Sequence, residues 1–263
     1  PSSIRLFTHQ LQSIERAQKN RSFVVTTGTG SGKSLSFFIP IIDRVLKAKE
    51  ENPAPRTRAI IIYPMNALAN SQAEEIAKFM GNPGADELGL TVERYTGQEG
   101  DTQRRRIAEN PPDILLTNFM MLELILTRFD QDIDLRVVRN CRGLEFLVLD
   151  ELHTYRGRQG ADVAMLVRRL RQRLKASDML CIGTSATMSS TGTPEDQQRT
   201  VAHVASKLFA APIEESDVID ETLIRATDNS LGLDTVKPLL KSRLSTSVSG
   251  WDDLDSFRKD PLA

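Results

Sequence analysis

The sequence predicts an α/β domain built on a doubly wound, mostly parallel sheet. Short apolar runs rich in β-branched residues recur along the chain, and most do not alternate with polar residues, which is typical of strands buried on both faces. Segments with apolar residues at helical spacing lie between these runs. In such a fold, ligands bind at the carboxyl ends of the strands. The predicted strands are 23–26, 59–63, 90–95, 114–117, 146–149 and 180–183.

Helical spacing is clearest over residues 69–80 and 163–174, and a third helix is predicted from Pro194 to about residue 209. After residue 211 the pattern weakens, and short helices are predicted over 217–227 and 234–244. We therefore predict a main domain over residues 1–211. Residues 212–263 are predicted to form a small helical C-terminal appendage or the beginning of the next domain.

Composition limits the classes of partner. The 263 residues carry a formal net charge of −1, so any nucleic-acid contact must come from local groups rather than from overall charge. The two cysteines, Cys141 and Cys181, stand in apolar segments without a zinc-binding grouping, which is typical of a reducing compartment. Apolar stretches are too short to span a bilayer. We expect a cytoplasmic protein with no membrane partner.

A glycine-rich loop follows the first predicted strand and ends in Lys33 and Ser34. Glycines let several backbone N–H groups surround a phosphate, and the next helix adds its positive end. Lys33 can then reach the β- and γ-phosphates, while the Ser34 hydroxyl is placed to bind Mg²⁺. Thr27 replaces the first glycine of the usual pattern. The residues predicted to bind ATP in this loop are Thr27, Gly28, Thr29, Gly30, Ser31, Gly32, Lys33 and Ser34.

Two carboxylates, Asp150 and Glu151, come directly after the predicted strand 146–149. In a P-loop enzyme the first carboxylate holds Mg²⁺, and the second orients and deprotonates the attacking water. We therefore predict Lys33, Asp150 and Glu151 as catalytic residues. Ser34 and Asp150 are the predicted ligands of Mg²⁺.

These strings resemble the first RecA-like domain of superfamily 2 DExH-box helicases. Residues 150–153 resemble the D-E-x-H box, and residues 184–187 resemble the S-A-T motif, which couples the ATP state to domain movement. A small residue in place of the first P-loop glycine, as at Thr27, is also frequent in this superfamily. The resemblance covers about residues 6–209. It implies adenine recognition by Gln10 and coupling roles for His153, Ser185, Ala186 and Thr187.

The same resemblance implies a path for one strand of nucleic acid. Residues 64–72 resemble motif Ia, residues 96–97 the T-G element and residues 116–118 motif Ib. In the family these elements contact phosphates, which implies contacts from Asn66, Gln72, Thr96, Gly97, Thr117 and Asn118. Three successive arginines, Arg104, Arg105 and Arg106, are either further phosphate contacts or solvent-exposed charges.

More narrowly, residues 63–72 and 150–164 resemble large bacterial DNA helicases. These include DNA-repair helicases and the helicase of the DISARM anti-phage system, and the DISARM type is favoured. Such motors need a second RecA-like domain that supplies arginine fingers, and nothing after Thr187 resembles its motifs. We expect a piece of a longer helicase that binds ATP·Mg²⁺ and DNA but hydrolyses ATP poorly alone. The second RecA-like domain and a defence-system subunit are the expected partners.

Other functions stay open at this point. The domain could belong to a translocase or ATP-gated clamp that acts on duplex DNA without unwinding it. It could also be a non-enzymatic assembly scaffold, although intact Lys33 and Glu151 count against this. A P-loop kinase for small molecules would not need the S-A-T and motif Ia strings. DNA is favoured over RNA.

Overall fold

The computed structural model describes residues 5–28, 30–80, 89–128, 132–186 and 193–220, together with residues 237, 238 and 241. The chain divides into two compact units, residues 1–221 and 222–263. In the second unit the three described residues are helical and lie within the helix predicted over 234–244.

The core of the first unit is a single parallel sheet. Its seven strands run in the order β3-β4-β2-β5-β6-β1-β7, and every strand pair is parallel. This confirms the predicted fold class, and all six predicted strands are present with small shifts at their ends. The strands are β1 (Phe23–Thr26), β2 (Ala59–Tyr63), β3 (Val92–Arg94), β4 (Ile114–Asn118), β5 (Phe146–Leu149), β6 (Leu180–Ser185) and β7 (Val218–Asp220).

Helices cover both faces of the sheet. One apolar core lies between the sheet and α1 to α3, and the other lies between the sheet and α4 to α8. In the described part of the chain, no helix combines the length and the apolar character that a membrane span requires. The helices are α1 (Thr8–Gln18), α2 (Leu35–Glu51), α3 (Asn66–Met80), α4 (Asp101–Glu109), α5 (Phe119–Thr127), α6 (Asp132–Asn140), α7 (Gly157–Leu174) and α8 (Pro194–Phe209).

Strand β2 shows why the apolar runs form central strands. Successive side chains of a strand point to opposite faces. Ile60 and Ile62 accordingly enter one core, while Ile61 and Tyr63 enter the other. Because both faces of the sheet are covered by helices, every position of β2 is buried, and no polar alternation appears in its sequence.

The chain returns to the sheet after α8, where a helix over 217–227 was predicted. That prediction is wrong for Val218–Asp220, which form β7 and pair with β1. Val218 and Ile219 are buried, one in each of the two apolar cores. Just before them, Asp217 accepts a hydrogen bond from Arg21 at 2.8 Å. The sheet therefore extends beyond the predicted boundary at residue 211, and the compact unit ends at Glu221. The rest of the predicted helix lies outside the described residues.

Arg104 is neither a solvent-exposed charge nor a free phosphate contact. Its guanidinium donates to Asp134 Oδ1 at 2.8 Å and to the Tyr95 hydroxyl at 3.2 Å. The Tyr95 hydroxyl itself donates to the same Asp134 oxygen at 2.5 Å, and the Asp134 side chain is fully buried. This group joins α4, α6 and the residue that follows β3. Arg106 forms an exposed pair with Glu93, and Arg105 is exposed.

Replacing Arg104 should therefore destabilise the fold. Arg104→Ala leaves the buried Asp134 carboxylate without its closest cation, and breaking a buried pair in this way costs about 3–5 kcal/mol. The neighbouring exposed change Arg105→Ala should alter the free energy of unfolding by about 0.5 kcal/mol or less. Urea denaturation of both variants measures the difference. Equal unfolding midpoints would show that the pair does not hold α4 and α6 together.

Candidate functional site

The sheet register brings the predicted site residues to one edge. Thr26, the last residue of β1, pairs with Ser185 at the end of β6, and Leu149 of β5 pairs with Gly183 of β6. Because all strands are parallel, the loops that follow them leave from the same edge. The glycine-rich loop after β1, the two carboxylates after β5 and the end of β6 are consequently neighbours.

Hydroxyl groups brace the glycine-rich loop. Ser31 Oγ donates to the Gly28 carbonyl at 2.9 Å and lies 2.7 Å from Thr27 Oγ1. Since a hydroxyl has one proton, Thr27 is the donor in the second bond. Thr27 therefore supplies a contact that the usual glycine could not make. Gly30 and Gly32 have φ angles of +81° and +75°, in the left-handed region that favours glycine.

Gln10 is tied to this loop. Its Nε2 donates to the Gly32 carbonyl at 3.0 Å, and its Oε1 accepts the Phe7 N–H at 3.0 Å. A Cβ atom on Gly32 would lie only 2.8 Å from Gln10 Nε2, so a larger residue would displace the Gln10 amide, and the φ of +75° also favours glycine. The structure thus gives Gln10 a role in fixing the loop. Its recognition of adenine stays a prediction.

Among the described residues, the side chains of Lys33 and Ser34 make no hydrogen bond that would compete with a ligand. Lys33 Nζ is buried and, among the described residues, has no hydrogen-bond partner. Ser34 is the N-cap residue of α2, but its side chain makes no capping bond. A buried ammonium without a partner is unfavourable, and the positive end of a 17-residue helix lies beside it. A bound phosphate would satisfy both features, so these residues fit a nucleotide.

Asp150 and Glu151 are linked to β6 by a residue that sequence reasoning did not select. The Thr184 hydroxyl donates to Asp150 Oδ1 and accepts the backbone N–H of Glu151 at 3.1 Å. Burial raises the pKa of Asp150 and Glu151 acts in the same direction, against the Thr184 hydrogen bond and the charge of Lys33. Asp150 is therefore close enough to Lys33 to feel its charge.

A carboxylate and a hydroxyl are the oxygen ligands that Mg²⁺ prefers, and Mg²⁺ is usually held by one or two protein groups plus substrate phosphates. Asp150 and Ser34 fit that requirement. The described residues contain no group of three or more His, Cys, Asp or Glu side chains that could hold a metal by themselves. A metal at this edge would therefore depend on the nucleotide for further ligands.

The predicted coupling residues also meet here. His153 Nδ1 lies 3.2 Å from Glu151 Oε2 and 3.4 Å from Ser185 Oγ. His153 thus stands between the second carboxylate and the end of β6. Ala186 directly follows that strand, whereas Thr187 and the loop residue Thr29 lie outside the described residues. Coupling between these groups stays a prediction.

Asn118 connects the elements predicted to bind nucleic acid. Its Oδ1 accepts the Met121 N–H at 2.7 Å and so caps α5. Its Nδ2 donates to Asn66 Oδ1 at 2.5 Å and to the Thr96 carbonyl at 3.0 Å. The structure brings Asn66, Thr96 and Asn118 together. However, both amide protons of Asn118 already have acceptors inside the protein, so its evident role is to position the other two.

The T-G element is bound by another residue that sequence reasoning missed. Glu99 accepts the backbone N–H groups of Thr96 at 2.7 Å and Gly97 at 3.0 Å, and the Thr96 hydroxyl at 2.9 Å. Burial alone would raise the pKa of Glu99, but these hydrogen bonds outweigh it and lower the pKa. The donors predicted to meet a phosphate are thus held by a carboxylate of the same loop. An acidic residue shortly after the T-G pair was the available signal.

The remaining predicted contacts differ in exposure. The Thr117 hydroxyl is buried and donates to the Tyr95 carbonyl at 2.6 Å, so it links β4 to the chain after β3 rather than facing outward. Gln72 is partly exposed on α3, and Gly97 is exposed with φ +90°. Any new hydrogen bond at this part of the edge would fall mainly to Asn66 and Gln72, since the Gly97 N–H already donates to Glu99.

Known proteins are similar to this chain in sequence and in fold. Residues 7–194 match the family model described as DEAD/DEAH box helicase. The chain is 34% identical over 190 residues to an uncharacterized ATP-dependent helicase, YprA, of Bacillus subtilis, covering 70% of this chain and 23% of that protein. It is 27% identical over 303 residues to the Druantia protein DruE of Escherichia coli, covering 74% of this chain and 16% of that protein.

Among solved structures, the DUF1998 helicase MrfA bound to DNA is similar, with a TM-score of 0.60 and 26% identity over 82% of this chain and 27% of that one. The chain therefore spans between 16% and 27% of the length of these three proteins.

Proposed function

Because the chain belongs to the DEAD/DEAH box helicase family, we propose that it is the first RecA-like half of an ATP-dependent DNA helicase or translocase. The observation that carries this proposal is Lys33, whose buried Nζ has no hydrogen-bond partner among the described residues. It lies at the edge where Asp150 and Glu151 also emerge. A triphosphate would supply the hydrogen-bond acceptors that Lys33 Nζ lacks among the described residues.

Each group of residues at this edge has its own role in ATP binding and hydrolysis. The loop from Thr27 to Ser34 binds the phosphates through backbone N–H groups and Lys33. Ser34 and Asp150 would hold Mg²⁺, which would supply positive charge against the developing charge of the phosphates. Glu151 orients the attacking water and accepts its proton. His153, 3.2 Å from Glu151 and 3.4 Å from Ser185, couples this carboxylate to the end of β6.

DNA is the proposed nucleic acid because the similar helicase MrfA has been solved bound to DNA. One strand would cross the edge at Asn66 and Gln72 and pass the exposed Gly97. Hydrogen bonds rather than many cations would hold it, since Arg104 is paired with Asp134. Binding by this unit alone should then be modest.

The rest of the motor lies outside this chain in our proposal. A second RecA-like domain of the parent protein would supply the arginine finger, which is worth roughly 10³–10⁵ in rate, so the isolated chain should hydrolyse ATP poorly. The resemblance to helicases of anti-phage systems makes phage defence, in the cytoplasm and with a defence-system subunit, the favoured setting over DNA repair.

Nucleotide binding can be tested with a matched pair of lysines. A ligand at a hundredfold excess over its Kd stabilises a fold by about 2.7 kcal/mol. Lys33→Ala should abolish the increase in Tm that ATP·Mg²⁺ causes while leaving the Tm without nucleotide nearly unchanged. Lys47→Ala, which removes an exposed lysine of α2 paired with Asp43, should keep the increase. A full increase in Lys33→Ala would refute the phosphate role of Lys33.

Hydrolysis is best tested in the full-length parent protein. Glu151→Gln keeps the shape but removes the base, so DNA-stimulated ATP turnover should fall by about 10²–10⁴ while ATP affinity is retained. Glu109→Gln, at an exposed position of α4, is the control and should turn over normally. If Glu151→Gln stays active, another group is the base. If RNA stimulates turnover as well as DNA does, the DNA assignment is wrong.

A further inference from the structure

We propose that Thr184 is a positioning residue for the Mg²⁺-binding carboxylate: its buried hydroxyl fixes Asp150 and the backbone of Glu151 in one arrangement. This inference rests on the proposed ATP·Mg²⁺ site. It assigns to Thr184, the first residue of the string 184–187, a task that Ser185 does not perform, since Ser185 faces His153 instead.

The hydrogen-bond pattern of Thr184 is fully determined. A hydroxyl carries one proton and two lone pairs. Thr184 Oγ1 accepts the N–H of Glu151 at 3.1 Å, so its proton is free to go to Asp150 Oδ1. Thr184 is fully buried. This bond engages one oxygen of the Asp150 carboxylate and leaves the other for the metal.

The backbone explains why a side chain is needed at this point. The N–H of Asp150 still bonds to the Ile62 carbonyl of β2, at 3.0 Å. Glu151 leaves the strand with φ +54°, a left-handed conformation that is uncommon for residues other than glycine. The Thr184 hydroxyl receives its N–H. One hydroxyl therefore holds two successive acidic residues, the first by its side chain and the second by its backbone.

The register makes this contact specific to Thr184. Gly183 pairs with Leu149, so the next residue of β6 lies beside the next residue after β5, which is Asp150. A hydrogen bond to an ionised carboxylate is about twice as strong as one between neutral groups. Losing the partner of a metal ligand typically weakens metal affinity by about 10–100-fold. The expected consequence of losing this hydroxyl is thus a defect in Mg²⁺ use rather than in the fold as a whole.

The test compares Thr184→Val, which is isosteric but has no hydroxyl, with Thr184→Ser, which keeps one. The measured quantity is the Mg²⁺ concentration that gives half of the ATP-induced increase in Tm. Thr184→Val should raise this concentration about 10–100-fold, and Thr184→Ser should restore it to within about threefold of wild type. The increase in Tm that ATP causes without Mg²⁺ should be the same in all three proteins.

Thr57→Val is the matched control, because Thr57 is an equally buried threonine at the opposite edge of the sheet, just before β2. It should leave the Mg²⁺ requirement unchanged. If Thr184→Val does not fold, Thr184→Cys, with a much weaker donor, should show the same defect.

Two outcomes distinguish the role of Thr184 from the proposed ATP·Mg²⁺ site as a whole. A wild-type chain that responds to ATP·Mg²⁺, together with a folded Thr184→Val or Thr184→Cys variant of unchanged Mg²⁺ requirement, overturns the role of Thr184 alone. A wild-type chain that does not respond to ATP·Mg²⁺ at all overturns the proposed function, and this inference with it.

Discussion

The parallel register of β1, β6 and β5 determines which side chains can meet at the carboxyl edge. Thr26 pairs with Ser185, and Gly183 pairs with Leu149. A slip of one residue in β6 would turn every side chain of that strand to the opposite face. It would move Thr184 away from Asp150 and exchange the side chains of β6 between the two apolar cores, which are packed for the present arrangement. The packing that stabilises the fold thus also fixes the geometry of the site.

The two halves of this edge meet their polar requirements differently. At the glycine-rich loop the buried ammonium of Lys33 has no hydrogen-bond partner among the described residues. Burial raises the pKa of the nearby Asp150. This half is arranged for a ligand that brings its own charge. At the T-G element and motif Ib, Glu99 and Asn118 already satisfy the neighbouring donors. That half satisfies its polar groups without a ligand.

Sequence patterns predicted the sheet and the nucleotide loop because both depend on local signals: buried runs for the strands, glycines followed by Lys33 for the loop. β7 was missed because three residues are too few to show a strand period, and Val218 with Ile219 reads equally well as part of a helix. Thr184 and the Arg104–Asp134 pair depend on partners that only the tertiary structure brings together. Glu99 differs, because its partners Thr96 and Gly97 lie only three and two residues before it. Asp134 lies 30 residues beyond Arg104, and nothing in the run of three arginines indicates it.

The central claim is that the glycine-rich loop and the end of β5 form one nucleotide–metal site. The most direct measurement is a crystal structure with a non-hydrolysable ATP analogue and Mn²⁺ in place of Mg²⁺, in which anomalous scattering locates the metal. We predict a single Mn²⁺ bound to Ser34 Oγ and to phosphate oxygens, with Asp150 in contact directly or through one water. An analogue bound without Lys33, or a metal remote from both Ser34 and Asp150, would contradict the account.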